Sequence, residues 1–146
     1  MPIRTLLAAG FLLTTSGWAN DRADRENLLG TWQSSEGDSH ETWSIESKGD
    51  VLWIMRTDGS KATLEVKCKA DGIDCPGTDE GKKVTIAMYF NGSALIQMET
   101  RDSYVLTRKF ALEGEPGRLT IEVNPITGPG KHHTLLLTRH LEAAVH

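Results

Sequence analysis

Lys61-Ala62-Thr63-Leu64-Glu65-Val66-Lys67 alternates apolar and polar residues without a break, placing Ala62, Leu64 and Val66 on one face and four polar side chains on the other. A period of two over seven residues is the pattern of a half-buried β-strand. The rhythm recurs downstream in Val84, Ile86, Met88 and Phe90, then in Tyr104, Leu106, Phe110 and Leu112, and again in Leu119, Ile121 and Val123. Upstream, Leu28-Leu29-Gly30-Thr31-Trp32 opens the series, and no helical stretch interrupts it from there on. Turn chemistry punctuates it at Lys48-Gly49-Asp50, Asp58-Gly59, Asn91-Gly92, Gly114 to Gly117 and Gly128-Pro129-Gly130. Eight or nine strands are predicted, near residues 28–35, 41–47, 51–57, 61–68, 83–90, 94–101, 103–113, 118–124 and 132–140.

Short connections make neighbours in sequence antiparallel neighbours in space. A meander of this length must hide its two edges, and closing on itself is the arrangement that removes them. The expected fold is therefore all-β, a single up-and-down antiparallel barrel of about 8 strands, with a two-sheet β-sandwich as the competing architecture. A barrel of this size is either filled by side chains or holds one small ligand.

Residues 1–20 combine Arg4, an apolar run from Leu6 to Leu13 and small residues leading to Ala19, the pattern of a secretory signal peptide cleaved near Ala19 or Asn20. The apolar run is too short for a membrane span. The expectation is an exported protein, periplasmic or extracellular, with one domain over residues 21–146. Losing the leader leaves 15 basic against 20 acidic side chains, a net charge of −5 with neutral histidines. Such a balance argues against nucleic acid as a partner.

Cys68 and Cys75 are the only cysteines. In an exported chain so close a pair is expected to form a disulfide. Their spacing lacks the paired Cys-x-x-Cys of zinc or redox sites. No cofactor or metal is expected. His132 and His133 are adjacent, so on a strand they face opposite ways, and His40 lies far upstream. Asp38, Glu41, Glu65 and Glu99 form no recognisable acid–base pair, and Ser34 or Ser35 with Asp38 and His40 lacks a nucleophile-elbow context. No catalytic residue is assigned.

Leu29-Gly30-Thr31-Trp32 resembles the Gly-x-Trp signature on the first strand of lipocalins and related calycins. Arg139, in Leu135-Leu136-Leu137-Thr138-Arg139, stands where those proteins carry a basic residue on the last strand. The resemblance implies that Gly30, Trp32 and Arg139 close one end of the barrel, the cation packed over the indole. Across residues 28–139 the chain is similar to short lipocalin-like domains of exported bacterial proteins, a group without a settled activity. His140-Leu141-Glu142-Ala143 resembles, over four residues, a segment of the haem-binding nitrobindins, but Gln33-Ser34-Ser35 departs from the glycine-rich continuation of that family.

Two functions fit. One is a small apolar ligand held inside the barrel, lined by Trp43, Trp53, Met55, Met88, Met98 and Tyr104, with loops near 36–41 and 69–82 as the rim. The other is a filled-core module that acts on a protein partner through its surface. Residues 51–57, apolar on both faces, would then supply a contact patch.

Overall fold

A computed structural model describes residues 16–34, 40–114 and 117–140. The expected leader up to residue 15, Ser35, Asp38 and the segment after His140 lie outside them. One helix, α1 (Ser16–Asn27), is followed by ten strands. They are β1 (Gly30–Ser34), β2 (Glu41–Lys48), β3 (Val51–Asp58), β4 (Lys61–Lys69), β5 (Cys75–Asp79), β6 (Lys82–Asn91), β7 (Ala94–Arg101), β8 (Tyr104–Leu112), β9 (Arg118–Thr127) and β10 (His133–Arg139).

Each strand pairs antiparallel with its sequence neighbours, and β1 pairs with β10 to close the ring. The barrel has ten strands rather than eight or nine, and closure rules out the sandwich. The strand that sequence reading leaves out is β5. Cys75-Pro76-Gly77-Thr78-Asp79 carries turn-forming residues, yet it pairs with both β4 and β6. Pairing overrides local preference there, helped by Glu80 and Gly81 at φ of 52° and 77°, the left-handed pair that a tight hairpin turn needs.

The meander gives the barrel two unlike ends. The 49–50, 70–74 and 92–93 connections share one end with α1, as do Glu113, Gly114 and Gly117. The 59–60, 80–81, 102–103 and 128–132 connections share the far end. At the helix end Leu28 is buried, and Arg25 donates from Nε to the carbonyl of Gly92 at 2.9 Å while lying 4.5 Å over the Phe90 ring. Trp32 is fully buried there, donating from Nε1 to the Leu28 carbonyl at 2.9 Å. Arg139 lies 4.3 Å above its ring and donates to the carbonyls of Leu29 at 2.8 Å and Asn27 at 2.6 Å.

The centre is solid. Ile54, Val66, Ile86, Met88, Leu95, Phe110, Leu119 and Ile121 all have 0% exposure. A void able to hold a water molecule would leave accessible surface on the atoms around it. No such surface remains on these walls.

Candidate functional site

Period-two alternation turns Leu95, Gln97, Glu99 and Arg101 of β7 inward, and it does the same for Leu106, Arg108 and Phe110 of β8. The apolar members of each set lie towards the helix end or among the core. The polar members meet Arg56 of β3 and Asp79 of β5 in the half of the barrel nearer the far end. Arg108 donates to Gln97 Oε1 at 2.8 Å, to Glu99 Oε1 at 3.0 Å and to Asp79 Oδ2 at 3.2 Å. Arg56 reaches Asp79 Oδ1 at 2.6 Å, and Arg101 reaches Asp79 Oδ2 at 3.0 Å and Glu99 Oε2 at 3.5 Å. Gln97 also donates to the Met88 sulfur at 3.7 Å. Trp43 roofs the cluster, with the Arg56 and Arg108 guanidiniums 5.5 and 6.0 Å from its ring and its Nε1 donating to Glu41 at 2.6 Å.

Three guanidiniums thus face two carboxyl groups. Glu80 also contacts Arg56, at 3.4 Å, but it is 61% exposed, so water screens it. Burial pushes the Glu99 carboxyl up, reinforced by its hydrogen bond to Asp79 and opposed by Arg108. Burial raises Asp79 too, but the hydrogen bond with Glu99 and the charges of Arg56 and Arg108 outweigh it and hold Asp79 below its ordinary value. The pair is therefore pulled apart, Asp79 toward its ionised form and Glu99 toward its protonated form. Arg101 marks the edge of the cluster. It lies 5.1 Å from the Tyr104 ring centre, and its Nε–H is buried without a hydrogen-bond partner.

Of the six lining residues expected, Trp43 and Met88 are interior and Tyr104 stands near Arg101 at the far end. Trp53, Met55 and Met98 are on the outer wall. Residues 51–57 are apolar on both faces, so they carry no phase of their own. The structure turns Leu52, Ile54 and Arg56 inward and leaves Trp53 between Lys48 and Lys67, at 5.6 and 4.3 Å. On β7 the usual rule is inverted. Gln97 and Glu99 occupy the inner face because Arg108 pairs with them, which puts Met98 outside at 37% exposure.

The expected rim does not assemble at one mouth either. Residues 70–74 lie at the helix end, His40 is at the far end, and residues 36–39 lie outside the described residues. His132 pairs with Glu122 on the surface at 3.3 Å, and exposed His140 donates its backbone N–H to Thr31. Among the described residues no three His, Cys, Asp or Glu side chains cluster as metal ligands, and no helix is long and apolar enough to cross a membrane.

Sequence reading noted Glu99 and missed the rest of the cluster. The available signal was two arginines, Arg56 and Arg108, in the inward phase of otherwise apolar strands. The largest hollow described, about 710 Å3, is a groove along β5–β7 lined by Cys75, Pro76, Lys83, Thr85, Thr100 and Arg101 among others. The disulfide between Cys68 and Cys75 borders it.

No family profile matches the chain, and no curated protein matches it. Solved structures do. The REP1-NXSQ fatty acid transporter superposes with a TM-score of 0.66 at 17% identity, over 80% of this chain and 99% of its own. Fatty-acid-binding protein 1 of Echinococcus granulosus superposes with a TM-score of 0.66 at 12% identity, over 78% and 98%. This likeness defines the fold class as a closed calycin-type β-barrel.

Proposed function

We propose that this chain is a non-catalytic binding barrel for a small hydrophobic ligand bearing an acidic head group, taken up at the far end. The observation that carries the reading is Arg101. A buried guanidinium N–H without a partner costs about 1–3 kcal/mol, which an incoming carboxylate would recover. The surplus of cations over carboxylates behind it favours an anion at the same place. The fold is one that solved fatty-acid-binding and fatty-acid-transporting proteins share. Because the interior is filled, an apolar tail must displace side chains near Tyr104 and Leu106, which limits the ligand to a short or partly inserted chain.

Trp43, close to two of the arginines, provides the readout. Titration with dodecanoate should change its fluorescence saturably, dodecanol should bind at least about tenfold more weakly, and Arg101→Gln should remove that preference. Absence of a saturable signal with dodecanoate, or equal binding of the alcohol, sinks the reading. A second reading rests on the zero exposure of the core: a filled barrel that acts on a protein partner through its outer wall. Export is supported by the leader-like residues 1–20, and N-terminal sequencing of the protein from its producing cell tests it.

A further inference from the structure

The β4–β5 seam differs from the rest of the wall. Its ladder has only three residue pairs, Leu64↔Asp79, Glu65↔Thr78 and Val66↔Gly77, where β3–β4 has eight and β6–β7 seven. Continuing the register would set Lys67 opposite Pro76 and Cys68 opposite Cys75. Pro76 has no N–H to give, so the ladder stops before it. The disulfide stands at the next inward position, where hydrogen bonding has ended. The β1–β10 seam also has three pairs, but Arg139 locks it through two carbonyls and the Trp32 ring. The β4–β5 seam has the disulfide instead.

Two features make that bond accessible and consequential. Cys75 lines the 710 Å3 groove, where Lys83 and Arg101 are balanced by Asp74 and Asp102, whereas Cys68 is buried at 3% exposure. Behind the seam the wall is thin. Gly77 contributes no side chain, and a methyl group built on it would come within 3.0 Å of Ile86 and 3.2 Å of the Glu65 carbonyl. Parting β4 from β5 therefore opens directly onto Val66 and Ile86.

We infer that the Cys68–Cys75 disulfide is a redox latch on a side gate into the barrel, opened by a dithiol reductant that approaches through the groove. One thiolate of the dithiol attacks Cys75 Sγ, the Cys68–Cys75 bond breaks, and its electron pair leaves on Cys68 Sγ, which takes up a proton. The second thiol of the reductant, losing its proton, then displaces Cys75 Sγ. The products are two cysteine thiols and one disulfide on the reductant, with two electrons and two protons transferred. With the latch reduced, the three ladder pairs and the Glu80 N–H bond to the Thr63 carbonyl at 2.7 Å hold β4 to β5. The gate admits a ligand only as far as the binding reading above holds.

Hydrogen exchange on the full chain, oxidised and after treatment with dithiothreitol, tests the latch without any ligand. Amides of residues 64–69 and 75–79 should exchange at least about tenfold faster in the reduced form, while those of β8 and β9 stay within twofold. A Cys68→Ser/Cys75→Ser variant should reproduce the pattern without reductant. Unchanged exchange at the seam, or an equal rise over every strand, overturns the latch. In parallel, dodecanoate should enter the reduced form faster. If neither form binds dodecanoate, the binding reading fails, and the exchange pattern still decides the latch.

Discussion

Gly30 explains the shape of the Gly-x-Trp segment. Its φ is +136°, and a methyl group on it would stand 2.6 Å from Nη1 of Arg139, the nitrogen that bonds the Leu29 carbonyl. The glycine is needed because the guanidinium passes directly over it on the way to Trp32. Gly30→Ala should therefore cost about 1–3 kcal/mol, through backbone strain and displacement of Arg139. Trp32→Ala should cost about 3–5 kcal/mol, because it removes the largest side chain at that end. Urea unfolding of both variants checks the order; a Trp32→Ala protein as stable as the parent would exclude the indole from the core. Of these contacts, the sequence carried the residue types and their order. It did not carry the two carbonyl acceptors, which depend on how α1 enters the barrel.

At the scale of elements nine of the ten strands were legible, most of them from alternation, because a strand with one buried face writes its period into the chain. It failed where that premise fails. β5 is five residues long and includes Pro76 and Gly77, so it has no period to read. β3 is apolar on both faces, and the polar inner face of β7 reversed the assignment of Met98. The same cause hid the candidate site. A polar side chain in the inward phase looks like a surface residue until its partner strands are known, and Arg56, Asp79, Glu99 and Arg108 come from four strands between 56 and 108. Arg108 is the joint among β5, β7 and β8. Arg108→Ala would leave Asp79, Glu99 and Gln97 without their shared donor, and a loss of about 3–5 kcal/mol is expected. Restoring bulk without charge in Arg108→Met should recover part of this only if Asp79 and Glu99 are neutralised together, as Asn and Gln. An Arg108→Met single variant as stable as the triple variant would show that packing, not buried charge, governs the site.

Across the whole molecule, the barrel is a sealed apolar half joined to an ionic half, and Asp79 and Glu99 make the second sensitive to pH. Asp79, held below its ordinary 3.8, contributes stability that is present above that value and is lost as pH falls through its depressed pKa. Glu99, pushed above its ordinary 4.5, acts the other way: its contribution is complete below 4.5 and declines as pH rises through the raised pKa, when a second carboxylate must ionise beside Asp79. The two slopes together place maximal stability on the acid side of neutrality. Melting temperatures measured from about pH 2 to pH 8 should pass through a maximum and fall toward both the acid and the alkaline side. Glu99→Gln should abolish that alkaline fall, since its amide cannot lose the proton that Glu99 gives up, and should leave the acid limb in place. An alkaline limb unchanged in Glu99→Gln would place the titrating group elsewhere. If the acidic-ligand reading holds, dodecanoate should move the maximum further toward acid. Its carboxylate adds one more anion to the cluster and raises the cost of ionising Glu99.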